Sequence, residues 1–293
     1  MWVSLAVGAV GFGSGVLASV LGIGGTVITT PIIRALGASP IFAVGSTVPA
    51  ILPGALSGSL RFQREGLILW RVALICGGSG MVFAVLGGWV ADIVDAKWLM
   101  VFTALLVMWC GVALFRDARR PDRRSDRRSA AAPAADDPPA ADPAADPVAA
   151  PAADSAAVES RTAAPAAVEP RGGVAAIICL GVVGGFLAGL LGIGGGLILT
   201  PGFSLGLRLP VKNTIATALA AVAMMSSTAL ITHVVLGHVD WRFALPLMIG
   251  IVPGARLGAN ITIGASEHTM RLVAGTLLTA VATLYLGAEL ATW

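Results

Sequence analysis

With 56% hydrophobic and only 12% charged residues in 293, at a mean hydropathy of +0.87, this chain has too few charges to cover a water-soluble surface. Its net charge of +3 carries little information about partners, because ten of the sixteen acids lie between Asp117 and Glu169. No nucleic-acid partner is expected, and the lipid bilayer is.

A helix needs about 20 apolar residues to cross the hydrocarbon core. In chain order, the stretches that qualify are 3–22, 42–60, 70–91 and 97–115, then 174–191, 213–236, 241–263 and 270–290. Residues 1–10 hold no Lys or Arg, so the basic segment of a cleavable signal is missing and 3–22 reads as a retained span. Two shorter apolar pieces, 26–36 and 197–207, have about 11 residues each, or roughly 16 Å of helix, too short to span untilted. They are re-entrant half-helices or parts of tilted, broken spans. Trp2, Trp70, Trp89, Trp98, Trp109, Trp241 and Trp293 fall mostly near span ends, as an interfacial belt would place them. Cys76, Cys110 and Cys179 stand far apart in apolar runs and read as small buried hydrophobes.

Between the apolar halves, 116–171 opens with Arg116, Arg119, Arg120, Arg123, Arg124, Arg127 and Arg128 and continues as an Ala/Pro/Asp tract. It holds almost no large apolar side chain and is expected to be disordered and cytoplasmic. The chain thus divides into a first repeat at 1–115, a linker at 116–171 and a second repeat at 172–293. The halves are related in sequence. Gly11–Pro31 and Gly181–Pro201 agree at 12 of 21 positions at an offset of 170. The shared core is Leu21-Gly22-Ile23-Gly24-Gly25 against Leu191-Gly192-Ile193-Gly194-Gly195, followed by Thr30-Pro31 against Thr200-Pro201. Trp70-Arg71-Val72-Ala73-Leu74 then matches Trp241-Arg242-Phe243-Ala244-Leu245 at an offset of 171.

Basic residues choose the topology. Four crossings per half put Arg61, Arg64, Arg71 and Arg242 inside, against Arg34, Lys97, Arg208, Lys212 and Arg271 outside. Five crossings per half put Arg61, Arg64, Arg71, Arg208, Lys212 and Arg271 inside, against Arg34, Lys97 and Arg242. The second count is better, so the expected fold is an all-α, polytopic helical bundle of two inverted repeats with Gly-rich broken helices, in the inner membrane.

The breaks carry the functional reading. Gly22, Gly24 and Gly25, with Gly192, Gly194, Gly195 and Gly196, allow unwound backbone whose N–H groups, with the positive end of the following helix, form an anion site without a cationic side chain. Unwound backbone at membrane depth lines a cavity or lies buried in protein. Close helix packing through small residues is the competing explanation. Thr29, Thr30, Thr47, Thr200, Asn213 and Thr217, with Ser46 and Thr214, add short donors that suit either an anion or ordinary capping. Arg256 lies within 241–263 with no acid within four positions. An anion-attracting role competes there with snorkelling, because the nearer helix end is about 10 Å away. His233 and His238 flank the end of 213–236. A proton-coupling role and a loop or interfacial position are both open, the second favoured.

The paired LGIGG…TP element, the Gly237–Arg242 loop and Pro253-Gly254-Ala255-Arg256-Leu257-Gly258-Ala259 resemble the TauE/SafE, or sulfite exporter, family of membrane proteins. The resemblance covers both halves and omits the linker. The first half departs from the pattern, with Thr26 in place of Gly196 and Val82-Phe83-Ala84 in place of Pro253-Gly254-Ala255. The resemblance implies transport, commonly outward, of small sulfur-containing anions such as sulfite, sulfoacetate or related organosulfonates. Alternatives are an uptake permease for another small anion or solute, and a non-transporting membrane scaffold. A membrane enzyme is disfavoured, since no His, Cys or acid cluster lies in the spans. No cofactor or metal is expected.

Overall fold

The computed structural model of the chain describes residues 2–94, 96–118 and 173–265, with single positions at 269, 273, 275, 276, 279, 280, 282 and 283. The expectations for the linker beyond residue 118 and for a span at 270–290 fall outside these residues. The first half contributes α1 (Trp2–Leu21), α2 (Thr26–Ala35), α3 (Pro40–Arg64), α4 (Trp70–Ile93) and α5 (Ala96–Ala118). The second contributes α6 (Val174–Leu191), α7 (Gly196–Pro201), a π-helical turn (Gly202–Gly206), α8 (Val211–Val235) and α9 (Trp241–Gly264). Among the described residues there is no strand, and α1, α3, α4, α6, α8 and α9 are each long and apolar enough to cross a membrane.

The helices of the two halves interleave. α1 packs most extensively on α9, and α4 on α6. These are equivalent pairs, since α1 corresponds to α6 and α4 to α9. Both contacts are built from small residues. A Cβ on Gly250, Gly254 or Gly258 would collide with the carbonyl oxygens of Gly8, Phe12 and Val16. A Cβ on Gly181, Gly185 or Gly189 would collide with those of Cys76, Gly80 and Ala84. Glycine every fourth residue leaves a groove into which the facing backbone settles. Dispersion contacts of that kind drive association where no hydrophobic effect operates between helices. Within each pair the two helices run in the same direction, as the rising residue numbers on both sides show.

α3 and α8 form the centre. In each, 72% of the spanning window is buried, against 44–50% for α1, α4, α6 and α9. They run antiparallel. The connection after α3 meets the start of α8, where Asn213 Nδ2 donates to the Leu67 carbonyl at 3.0 Å and the Leu69 N–H donates to Thr217 Oγ1 at 3.1 Å. The connection after α8 meets the start of α3, where the Asp240 N–H donates to Ser46 Oγ at 2.8 Å.

Helix α2 does not continue α1 in space. Ser14 Oγ donates to the Gly25 carbonyl at 2.6 Å, and Gly25 lies against Ser14 and Ala18. The chain therefore folds back along α1 after the break. Ile33, near the end of α2, shares an apolar cluster with Val7 near the start of α1. Gly195 packs on Gly184 and Ala188 in the same way in the second half. Trp70, Trp89, Trp98 and Trp241 are exposed near helix ends, as expected of a belt; Trp109 is exposed too, but lies in the middle of α5. Cys76 and Cys110 are buried, whereas Cys179 is exposed. Burial is the expectation that Cys179 corrects. It sits on the outward face of α6 beside Ile178 and Val183, where an apolar thiol needs no protein cover.

Candidate functional site

Each break begins where a helix reaches glycines, which enter the left-handed region without the strain of a side chain. The Gly22 N–H closes the last turn of α1 on the Ala18 carbonyl at 2.8 Å, and the Gly192 N–H closes α6 on Ala188 at 3.1 Å. The backbone then enters the left-handed region, with φ of 72° at Gly22, 85° at Gly24 and 80° at Gly25, and of 64°, 76° and 71° at Gly192, Gly194 and Gly195. An L side chain there costs about 1–2 kcal/mol per residue, which is why both repeats need glycine at these places. Gly196 differs, being the first residue of α7 with helical backbone.

The two breaks lie against one another between α3 and α8, and all seven glycines are buried. Gly24 approaches the Ile193 carbonyl, and Gly196 approaches Gly22 and Ile23. Ile51 of α3 and Val222 of α8 border both Gly24 and Gly194. Thr200 Oγ1 crosses between the halves, 3.3 Å from the Leu21 carbonyl and 3.2 Å from that of Gly22. Gly192 packs on Val44 and Val48 of α3, while Gly22 packs on Ile215 of α8.

The threonines follow. Thr29 and Thr30 Oγ1 donate back to the Thr26 carbonyl at 3.2 and 3.0 Å, as hydroxyls do inside apolar helices. Thr30 Oγ1 also lies 3.5 Å from Thr47 Oγ1, which donates to Val44 at 2.7 Å. Thr26 is the exception. Its Oγ1 is buried with no hydrogen-bond partner among the described residues, and it stands at the N-terminal residue of α2. A buried unpaired hydroxyl costs about 1–3 kcal/mol, so it marks a position where a partner is wanted. The sequence shows Thr26 only as a departure from the repeat. That departure, a hydroxyl where the other half has glycine, is the signal that could have found it.

The expected site residues thus separate. Gly22, Gly24, Gly25, Thr29, Thr30, Thr47, Gly192, Gly194, Gly195, Gly196 and Thr200 gather at or beside the breaks. Asn213, Thr217, Ser46 and Thr214 bond to backbone around helix starts and connections. Arg256 lies on the exposed side of α9, away from the buried breaks.

His238 lies in the connection after α8, as a loop histidine would, and His233 in the last turn of α8, but both are buried. His233 is fully buried within α8, and His238 is 7% exposed. His233 Nε2 lies 3.0 Å from the Gly189 carbonyl, near the end of α6. The two Nδ1 atoms are 3.3 Å apart, and His238 Nε2 is 2.9 Å from Asp92 Oδ1 on α4. Asp92 is 146 positions from His238, so no local pattern announces this chain. Among the described residues no group of His, Cys, Asp or Glu is arranged to hold a metal.

The family model described as "Sulfite exporter TauE/SafE" matches residues 7–285. A protein of Xylella fastidiosa named a probable membrane transporter is 25% identical over 284 residues, covering 94% of this chain and 90% of its own. A probable membrane transporter of Methanocaldococcus jannaschii is 23% identical over 285 residues, covering 92% and 90%. The Bacillus subtilis probable membrane transporter YunE is 36% identical over 96 residues, covering 33% and 35%. No solved structure matches the chain.

Proposed function

The chain belongs to the sulfite exporter TauE/SafE family of membrane transporters, and on that premise we propose that it carries small sulfur-containing anions such as sulfite, sulfoacetate or related organosulfonates out across the inner membrane. The observation behind this reading is the pair of buried glycine breaks lying together between α3 and α8, with the unpaired Thr26 hydroxyl at the head of α2. Unwound N–H groups and the positive end of α2 favour an oxyanion without a buried cation. Thr26 Oγ1 adds one more donor. Transport by alternating access needs helices around the breaks to part, first toward one side and then the other.

Topology enters the same reading. The antiparallel course of α3 and α8, equivalent helices of the two repeats, supports the inverted arrangement and five crossings per half. Arg61, Arg64, Arg71, Arg116, Arg208 and Lys212 then lie at one end, which the positive-inside rule makes cytoplasmic along with the linker. A negative interior drives each exported negative charge outward by about 2.3 kcal/mol per 100 mV, so export needs no ATPase.

The test is flux from proteoliposomes preloaded with sulfite, sulfoacetate, thiosulfate, sulfate or phosphate under an imposed potential, comparing wild type with Thr26→Val and Gly194→Leu. Efflux of sulfite or a sulfonate, abolished by Gly194→Leu and weakened by Thr26→Val, is the expected result. Movement of none of the sulfur anions by folded, inserted protein would remove the substrate class. Deleting 125–165 separates transporter from scaffold, because flux then survives loss of the linker.

A further inference from the structure

The chain from Asp92 to Gly189 can be read by counting hydrogens. The Gly189 carbonyl only accepts, so His233 Nε2, 3.0 Å away, carries a hydrogen. A hydrogen bond between the two Nδ1 atoms, 3.3 Å apart, takes a second hydrogen, and one between His238 Nε2 and Asp92 Oδ1, 2.9 Å apart, takes a third. Three contacts need three hydrogens. Two neutral imidazoles supply two and an ionised Asp92 supplies none. With a hydrogen in each contact, the chain holds one proton beyond the complement of neutral histidines beside a carboxylate. Losing that proton leaves one of the three contacts without a hydrogen.

We propose that Asp92, His238 and His233 form the proton site of this transporter, binding one proton together with the anion at the second break and releasing it with the anion. This rests on the anion-transport reading above and adds the coupling ion to it. The path is graded in exposure. Asp92 is open, with 53% of its side chain exposed, whereas His238 is nearly closed and His233 is fully buried. On export the proton passes from His233 through His238 and leaves at Asp92, which stands at the end of α4 opposite Arg71. The Gly189 carbonyl is among the last carbonyls of α6, which helix geometry leaves without an intrahelical partner, three residues before Gly192. Positive charge on His233 faces the negative end of that helix and stands about one turn from the break. There it strengthens the attraction for an anion, so proton and anion occupancy reinforce one another and the two move in the same direction. A divalent sulfur oxyanion with one proton still takes one negative charge outward.

Among the described residues, the surroundings add few other charges. α4 brings Asp92, and α8 brings His233. The 236–240 connection brings His238 and Asp240, whose carboxylate accepts the Arg242 N–H at 2.9 Å. The start of α3, which meets His238 at Gly45, and the last two turns of α6 bring no titratable side chain.

The other repeat shows that the fold does not require this chain. At the offset of 171, Phe62, Leu67 and Ile263 stand in the places of His233, His238 and Asp92, and Phe62 is fully buried. The carbonyl of Ser19, equivalent to that of Gly189, is closed by Thr262 Oγ1 at 3.1 Å. One end of the molecule is finished with apolar side chains and a neutral hydroxyl, the other with titratable groups.

The experiment follows sulfite efflux and internal pH together in proteoliposomes under an imposed potential, for wild type, His233→Phe and Asp92→Asn. Wild type should carry protons out with sulfite. Both variants should show at least a tenfold lower ratio of protons to sulfite. An unchanged ratio, or protons moving opposite to sulfite, overturns the proposal while leaving anion transport intact. Wild type that moves no sulfite overturns the transport reading instead, and a second measurement then decides on the proton site. In 15N-histidine spectra of the full chain in micelles between about pH 5 and 9, His233 and His238 should lose the shared proton in one coupled step that Asp92→Asn abolishes. Separate titrations, or none, overturn it.

Discussion

Asp240 is anchored by Ser46, its N–H donating to Ser46 Oγ at 2.8 Å across 194 positions of sequence. The other repeat does the same with Leu69 and Thr217 Oγ1 at 3.1 Å. At an offset of 171 the two pairs correspond residue for residue, each tying the N-cap of a long helix to the hydroxyl of a central one.

Removing either hydroxyl strands an amide at a helix start. Ser46→Ala and Thr217→Val should each destabilise the folded protein by about 1–3 kcal/mol. The two sites lie at opposite ends of α3 and α8, so the double variant should show the sum of the single losses. Denaturation in detergent measures this, and strong non-additivity would contradict the placement.

Gly24→Leu and Gly194→Leu put a side chain where φ is 85° and 76° and where Ile51 and Val222 already border the space. Each should reduce anion flux by more than about tenfold, equal to about 1.4 kcal/mol in barrier. Gly13→Leu, with open space around it, is the matched control and should keep wild-type flux.

A larger residue in the glycine seams should act on assembly. Gly254→Leu drives a side chain into the Phe12 carbonyl, and Gly185→Leu into that of Gly80. Neither backbone can retreat without opening the whole helix pair, so the yield of folded, monodisperse protein should collapse. Gly78→Ala meets nothing within 4 Å and should stay within about 0.5 kcal/mol of wild type.

Arg256→Gln should leave flux within about twofold of wild type, because the residue is exposed on α9 and stands apart from the breaks. A tenfold loss measured in the same liposomes would move the pathway to the outside of that helix.

Hydropathy and the internal repeat made the helices legible, along with both breaks, because apolar length and glycine clusters are local properties. The face presented by Arg256 was not. α9 is apolar nearly all round, so hydropathy does not tell its inner side from its outer one, and the Gly250, Gly254, Gly258 stripe marks it only once its partner α1 is known. Asn213 and Thr217 look in sequence like donors opposite a break. Their partners, Leu67 and Leu69, belong to a connection nearly 150 residues away, and only folding reveals that they serve backbone. The histidine chain was hidden for the same reason. Thr26 was visible, but its meaning depends on burial without a partner.

The glycine seams also say what kind of object one repeat is. α1 finds its close-fitting neighbour in α9, and α4 in α6, so each half holds only one side of either seam. A half inserted alone would present two grooves of bare backbone to lipid. Two identical halves inserted in opposite senses could fill them for each other. On the inverted arrangement proposed above, the chain is in effect such a dimer made permanent by a linker, and its two tightest units are each drawn from both partners. Whatever parts when the breaks open, it is not the first repeat leaving the second.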